Sequence, residues 1–462
     1  MNTVAPVPLI AISVLLPLLY PLLAARPGWA RALRAAMPLL PLPALLLALS
    51  STVPWTLELP WLMLGSTWML DELRRSFLLL TALLWSTAGL YAVGYLGADH
   101  LRRFGVFWGL TLAGNLGLVL AGDIVSFYSC FTLMTFAAYG LVVHDGSDRA
   151  RFAGRVYLVM ALVGEMAMLA GFLLAAQALD SLLLADLAAG IGASSAGGLI
   201  TTLFIAGFGV KAGLPLLHFW LPLAHPVAPT PASAVLSGAM IKAGLLGWLL
   251  TLPIGEAGWE AWGQLLIVMG FVGSLGAALF GMVQRDPKTV LAWSSISQMG
   301  LITVPVGAAL AVPGQATALL PVIALFVLHH GLAKGCLFLA VGLVLPASRL
   351  LRLLLWLLIA LPGLSLLGLA FTSGALAKEV MKKALLGTPD LPLAAHMPLL
   401  LQAATLATLV LVARYGWLLW LQLQPGSVAA SRWWGWILAT LCSAVLFWWL
   451  PVVPGPGRCL PC

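Results

Sequence analysis

The stretch "GVKAGLPLLHFWLPLAHPVAPTP", Gly209 to Pro231, decides how the chain is read. Long apolar runs flank it, yet it holds a lysine, two histidines and five prolines. A simple membrane anchor has no use for any of these. Pro215 and Pro222 each remove a backbone N–H and leave a carbonyl without its helical donor. Such backbone survives at membrane depth only where protein buries it or where it lines a cavity. Lys211 lies beside the interruption, and a charge at the bilayer centre costs about 2.5–3.5 kcal/mol even on the lenient insertion scale. The stretch reads as a broken membrane helix with a buried cation, the form of an ion-path element.

Composition agrees with a membrane setting. Hydrophobic residues make up 62% of the 462 residues, charged residues 8%, and the mean hydropathy is +1.05. Soluble domains carry roughly 25% charged residues. The chain reads as an all-α polytopic membrane protein with roughly fourteen spans. They fall near 5–24, 35–52, 76–97, 103–121, 123–144, 153–175, 197–222, 231–252, 262–284, 289–311, 316–346, 354–384, 396–421 and 433–450. The first run lacks a basic leader, so a retained span is expected and not a cleaved signal. Segment 176–196, with Asp180, Asp186 and a Gly/Ser/Ala run, is expected to be a surface turn.

Arginine and lysine set the orientation. One set of alternate loops carries Arg26, Arg31, Arg34, Arg102, Arg103, Arg149, Arg151, Arg155, Arg285, Lys288, Arg349, Arg352 and Arg432. The other carries Arg74, Arg75, Lys382, Lys383 and, in the tail, Arg458. The first set is expected on the cytoplasmic side of a bacterial inner membrane, with both termini outside. The net charge of +8 is mostly this signal, and no nucleic-acid partner follows from it. Cys130, Cys336 and Cys442 read as small apolar residues, and the lone C-x-x-C at Cys459–Cys462 is a weak metal signal. No phosphate loop, haem or iron–sulfur pattern is present, so no cofactor, metal or redox centre is expected in this chain.

The chemistry lies in ionisable groups inside the spans: Lys211, Lys242, Lys334, Lys378, Glu165 and Glu379, with His218, His329 and His330. Lysines in four different helices point to the bundle interior and an ion path; structural ion pairs between helices are the plainer alternative. A second interrupted segment, "ALPGLSLLGLAFTSGALAKE", lies five spans after the first and carries Lys378. Paired broken helices in two halves suggest an inverted repeat with the ion site at the breaks. Burial disfavours a lysine's charged form and a nearby carboxylate favours it, so moving the carboxylate releases a proton. Lysine suits this role because arginine stays charged. His218, His225, His329 and His330 can relay protons near neutral pH, although His225 is expected in the cytoplasmic turn. Asp71, Glu72 and Asp123 near the outer ends are expected to be solvated or to cap helices.

The motif "GLPLLHFWLPLAHPVAPTPASAVLSGAMIKAG" resembles the signature of the proton-translocating antiporter-like subunits of respiratory complex I, multi-subunit cation/proton antiporters and membrane-bound hydrogenases. "RDPKTVLAWSSISQMGLI", Arg285 to Ile302, is similar to the family's tenth-span entry. "HGLAKGCLFLAVG", His330 to Gly342, resembles its eleventh span, and "GLAFTSGALAKE", Gly368 to Glu379, its broken twelfth helix. The resemblance covers residues 123–379 and implies two inverted five-helix repeats, spans 4–8 and 9–13, with helices 7 and 12 broken. The implied division is 1–100 for three leading helices, 101–252 and 253–421 for the repeats, and 422–462 for the last helix and tail.

The resemblance also implies a midplane chain of charges. Lys211, Lys242 and Lys378 match its lysine positions on spans 7, 8 and 12. Lys334 and His330 match the linking span 11, and being four apart they share a helix face. The family's span-5 glutamate is missing, because Thr132 stands there, and Leu223 replaces the usual acid of "LPxAH". Glu165 on span 6 is the candidate replacement. Thr132 lies 12 residues before the expected span end at 144, and Glu165 lies 12 after the span start at 153. At about 1.5 Å per residue both sit some 18 Å deep on antiparallel neighbours. A helix–helix contact is the alternative role for Glu165.

The expected function is proton or cation/proton translocation within a larger membrane complex. Its driver stays open. One reading is a redox-driven pump of the NADH:quinone oxidoreductase or hydrogenase kind, with a redox partner. Others are secondary antiport, inorganic carbon uptake with a carbonic-anhydrase-like partner, and a scaffold that has lost conduction.

Overall fold

The computed structural model describes residues 6–26, 28–50, 53–97, 100–388 and 390–446. The "CLPC" motif and Arg458 lie outside them. The helices that frame the site are α1 (Val7–Ala24), α2 (Leu42–Ser50), α3 (Glu72–Tyr95), α4 (Leu101–Leu120), α5 (Ile124–Val142), α6 (Asp148–Leu179), α7 (Gly197–Ala212), α8 (Trp220–Val227), α9 (Thr230–Thr251), α10 (Glu260–Met282), α11 (Pro287–Ala311), α12 (Ala316–Ala340), α13 (Arg349–Leu367), α14 (Ser373–Leu386), α15 (Met397–Gln422) and α16 (Ala430–Leu441). Among the described residues, 12 helices are long and apolar enough to cross a membrane. The chain is an all-α polytopic membrane protein. The expected seventh and twelfth spans are each split in two, as α7 with α8 and α13 with α14.

The two breaks share one backbone pattern. Each first half ends on a left-handed glycine, Gly213 at φ +79° and Gly368 at φ +86°. A side chain at such a φ is strained, which is why glycine ends both helices. The Leu214 N–H donates to the Gly209 carbonyl and the Leu217 N–H to Leu214; likewise Leu369 donates to Leu364 and Thr372 to Leu369. All four residue pairs differ by the same interval (369 − 214 = 155, 372 − 217 = 155). Leu216 (φ +69°) and Phe371 (φ +64°) also correspond, and both are exposed bulky residues held left-handed. Pro215 lies in the first break. Pro222 does not break the helix as expected: it sits in the first turn of α8, where its missing N–H has no helical acceptor to lose.

Three other expectations change. Segment 176–196 is more than a surface turn. It contains a short helix, Leu184–Gly190, whose Leu184 and Leu187 are buried together with Ile191. Their three- and four-residue spacing makes one apolar face. Of the two roles expected for Asp123 the capping one holds, and the residue is buried. It caps α5 by accepting from the Ser126 N–H (2.8 Å) and also accepts from the Thr67 N–H (2.7 Å). Thr67 belongs to a hairpin that was not expected, β1 (Trp55–Leu59) antiparallel to β2 (Ser66–Leu70). His225 lies within α8, fully buried against Phe338, and not in a turn.

Lipid tails give helices no hydrophobic reason to associate, so close backbone contact must hold them. At Gly164 on α6 and Gly207 on α7 a Cβ would meet the other's carbonyl oxygen at 3.0 and 2.9 Å. This contact sits one residue from Glu165 and about one turn from Lys211. A Cβ on Gly207 would also meet the Met168 backbone nitrogen at 2.9 Å. Gly207→Ala should therefore overpack the seam by about 1–3 kcal/mol. It is expected to lower the melting temperature of the purified protein. Gly198→Ala on the same helix, with nothing within 4 Å of its added Cβ, should leave that temperature unchanged or slightly raised.

Candidate functional site

Glu165 is buried at mid-length of α6, 2% exposed. One carboxylate oxygen accepts from the Thr132 hydroxyl at 2.5 Å; the other has no partner among the described residues. Thr132, standing where the family acid is missing, therefore touches the acid that the sequence offered as its replacement. Glu165 lines a small cavity with Phe131, Thr135, Tyr157, Lys211 and Trp220, and the space suits about one water molecule.

Lys211, in the last turn of α7, reaches into the same cavity. Its ammonium donates to Tyr157 Oη (3.2 Å) and Thr135 Oγ1 (3.3 Å) and makes no ion pair with Glu165. The rings of Phe131, Tyr157 and Trp220 surround it at 5.9, 5.4 and 5.7 Å. Such contacts are worth about 0.5–2 kcal/mol each, most where the cation is desolvated. The Trp220 indole N–H donates to the Val210 carbonyl at 2.8 Å, which ties α8 back onto the end of α7 across the break. Tyr157, Thr135 and Trp220 were missed from sequence. Only Trp220, inside the quoted motif, carried a signal there.

A second group forms around α9, α11 and α12. Residues Leu236–Met240 of α9 make a π turn, a feature frequent at functional sites. The Ser237 carbonyl at its start accepts from the Lys242 ammonium at 2.6 Å. Ser237 Oγ bonds Ser295 Oγ (2.7 Å), and Ser295 donates to the Leu291 carbonyl (2.8 Å). That carbonyl also accepts from Lys334 at 3.2 Å. Lys242 and Lys334 are thus joined through α11 without any carboxylate. His330, one turn before Lys334, is fully buried with both ring nitrogens unpartnered among the described residues.

His329 connects this group to the second break. Its Nδ1 bonds Ser373 Oγ at 2.9 Å, and Ser373 bonds Ser365 Oγ at 3.1 Å. Two serines on either side of the interruption thereby face one imidazole. Lys378 lies one turn further along α14 with its ammonium buried and unpartnered, while Glu379 faces outward in an exposed pair with Lys383. His218 is not gathered into either group. It sits in the first break, half-buried against Phe219 and Trp293. No hydrogen bond or ion pair links Lys211 to Lys242 among the described residues.

Broken helices carrying buried lysines are what the family resemblance implies, and the comparison with known proteins bears out the family. Residues 121–387 match the family described as "NADH:quinone oxidoreductase/Mrp antiporter, TM". The chain belongs to this family. Hydrogenase-4 component B of Escherichia coli (strain K12) is 32% identical over 300 residues, 62% of this chain and 44% of that protein. The putative antiporter subunit mnhA2 of Staphylococcus saprophyticus is 30% identical over 369 residues, 73% of this chain and 46% of that protein. A chain in the structure of the Mrp complex from Dietzia sp. DQ12-45-1b superposes with a TM-score of 0.78 at 25% identity. It covers 95% of this chain and 49% of its own length. This family member thus spans about half the length of the curated relatives it matches. The relatives' names carry antiporter and hydrogenase vocabulary; the inorganic-carbon reading draws no support from them.

The Thr132–Glu165 contact generates a direct test. Glu165→Gln should reduce proton-linked activity about as far as loss of Lys211 does. The double exchange Glu165→Thr with Thr132→Glu keeps an acid against the same cavity and should recover part of the activity. Proton uptake by vesicles carrying each variant, normalised to the amount of assembled protein, decides the matter.

Proposed function

We propose that this chain translocates protons, in exchange with or alongside a cation, as one subunit of a larger membrane complex. The observation that carries the reading is the acid–lysine pair, Glu165 and Lys211, facing one water-sized cavity at membrane depth. The matching breaks, 155 residues apart, support the internal repeat with halves near 101–252 and 253–421. The arginine-rich loops are assigned to the cytoplasmic side.

In this reading Glu165 and Lys211 exchange between an open and a paired arrangement. When they pair across the cavity, the carboxylate favours the ammonium; when they part, the lysine gives up its proton. The proton then passes towards Lys242, Lys334 and His330, and on through His329 to Lys378. Unpartnered buried polar atoms are costly, so Glu165 Oε1, the His330 nitrogens, His329 Nε2 and Lys378 Nζ are where ordered water completes the route. The partners are further membrane subunits, and the bilayer surrounds the rest.

Lys211→Ala should leave assembly intact and lower proton-linked transport about tenfold or more. Full transport per assembled complex would refute the mechanism and leave a scaffold role. Lys378→Met is expected to block or uncouple the same activity. If Lys378→Met lowers only the yield of complex, with normal activity per complex, that residue is structural.

A further inference from the structure

The polarity of the hydrogen bonds around Lys211 assigns a role to a residue outside the family's charge chain. Tyr157 has a single hydroxyl proton, and it goes to the Thr135 carbonyl at 2.7 Å. The oxygen can therefore only accept from its remaining neighbour, the Lys211 ammonium at 3.2 Å. Thr135 supplies a second acceptor, its hydroxyl at 3.3 Å, from the same residue whose carbonyl fixes the tyrosine. Both acceptors are buried, and three rings enclose the cation. This is a built resting place for the ammonium. Glu165 offers another across the same cavity, through its unpartnered oxygen.

We propose that Tyr157 is a positioning residue that holds the Lys211 ammonium away from Glu165, so that Lys211 has two competing resting places and the exchange between them opens and closes the pair. The inference rests on the Glu165–Lys211 reading above and names the element that keeps the pair open. A ligand has to favour one of two states to shift them, and here the competing acceptors are the Tyr157 hydroxyl on one side and the carboxylate on the other, with the Thr135 hydroxyl between them in contact with both Lys211 and Glu165. Tyr128 also faces the acid's helix, but its hydroxyl bonds the Glu165 backbone carbonyl at 3.4 Å and not the carboxylate.

The test reads the acid directly. Infrared difference spectra of the purified full-length protein in its complex identify the Glu165 bands by their loss in Glu165→Gln. Tyr157→Phe keeps the ring and removes the acceptor. The Glu165 signal should then shift towards the ionised, ion-paired carboxylate, and proton-linked transport should slow about tenfold because the pair stays closed. Thr135→Val removes the hydroxyl that contacts both Lys211 and Glu165, leaves the carbonyl that holds Tyr157, and serves as the control for assembly. Unmoved Glu165 bands in an assembled Tyr157→Phe protein overturn the proposal. So does failure of both variants to assemble, which would make the pair packing residues. If the bands move while Lys211→Ala retains full transport, the positioning role stands and the translocation reading fails.

Discussion

A carboxylate at membrane depth cannot be left without partners, and much of the first half of the structure follows from that constraint. Glu165 is buried at mid-length of a helix whose other charged residues lie in its first two or three turns, so its charge must be answered locally. The answer comes from two helices at once. Thr132 on α5 donates to it, and Lys211 on α7 shares its cavity. Lys211 sits on α7, which ordinary leucine packing would hold farther from α6. The Gly164–Gly207 contact removes that spacing, and the Trp220 bond to Val210 keeps the end of α7 in place where the helix stops. Acid, glycine seam, break and cage are therefore one device.

The second group of buried lysines solves a related problem with different chemistry. Lys242 and Lys334 are held by backbone carbonyls and joined by two serines. A carbonyl in a regular helix already accepts from the residue four positions on and has only its second lone pair to offer, as Leu291 does to Ser295 and Lys334. The π turn in α9 presents the Ser237 carbonyl to a lysine five residues later. At the second break the same need is met by side chains, because Ser365 and Ser373 meet at His329 from the two sides of the interruption. Irregular backbone and buried cations thus occur together, each supplying what the other lacks.

Much of this was legible in the sequence. The membrane class, the broken helices and the buried lysines follow from apolar runs interrupted by proline and charge, which local residues determine. The contact between Thr132 and Glu165 was legible too, because depth can be counted along two antiparallel helices. What was not legible depends on tertiary contact. The cage residues Tyr157 and Thr135 look like ordinary residues of an apolar span until α7 is placed against them. The π turn has no distinctive composition. The hairpin Trp55–Leu59 with Ser66–Leu70 is short, though its alternating Trp55, Leu57 and Leu59 opposite Thr56 and Glu58 hinted at it. Of the two prolines expected to interrupt the helix, Pro215 lies in the break and Pro222 does not, because proline early in a helix is tolerated and the left-handed Gly213 is the stop.

The two halves share a backbone break but not a charge balance. Among the described residues the ion pairs lie at helix ends, between Asp71 and Arg74, Glu72 and Arg75, Asp148 and Arg151, and Glu379 and Lys383. None involves Lys242, Lys334 or Lys378. A lysine held by neutral carbonyls can be protonated or not without an anion having to move, whereas Lys211 faces a carboxylate whose own state changes with it. Among these lysines Lys211 is the one that shares a cavity with a carboxylate, and the proposed exchange of charge is placed there for that reason. In the proposed reading, an acid at the depth of Thr132 gives Lys211 its exchangeable partner, and the Thr132 hydroxyl holds that acid in place.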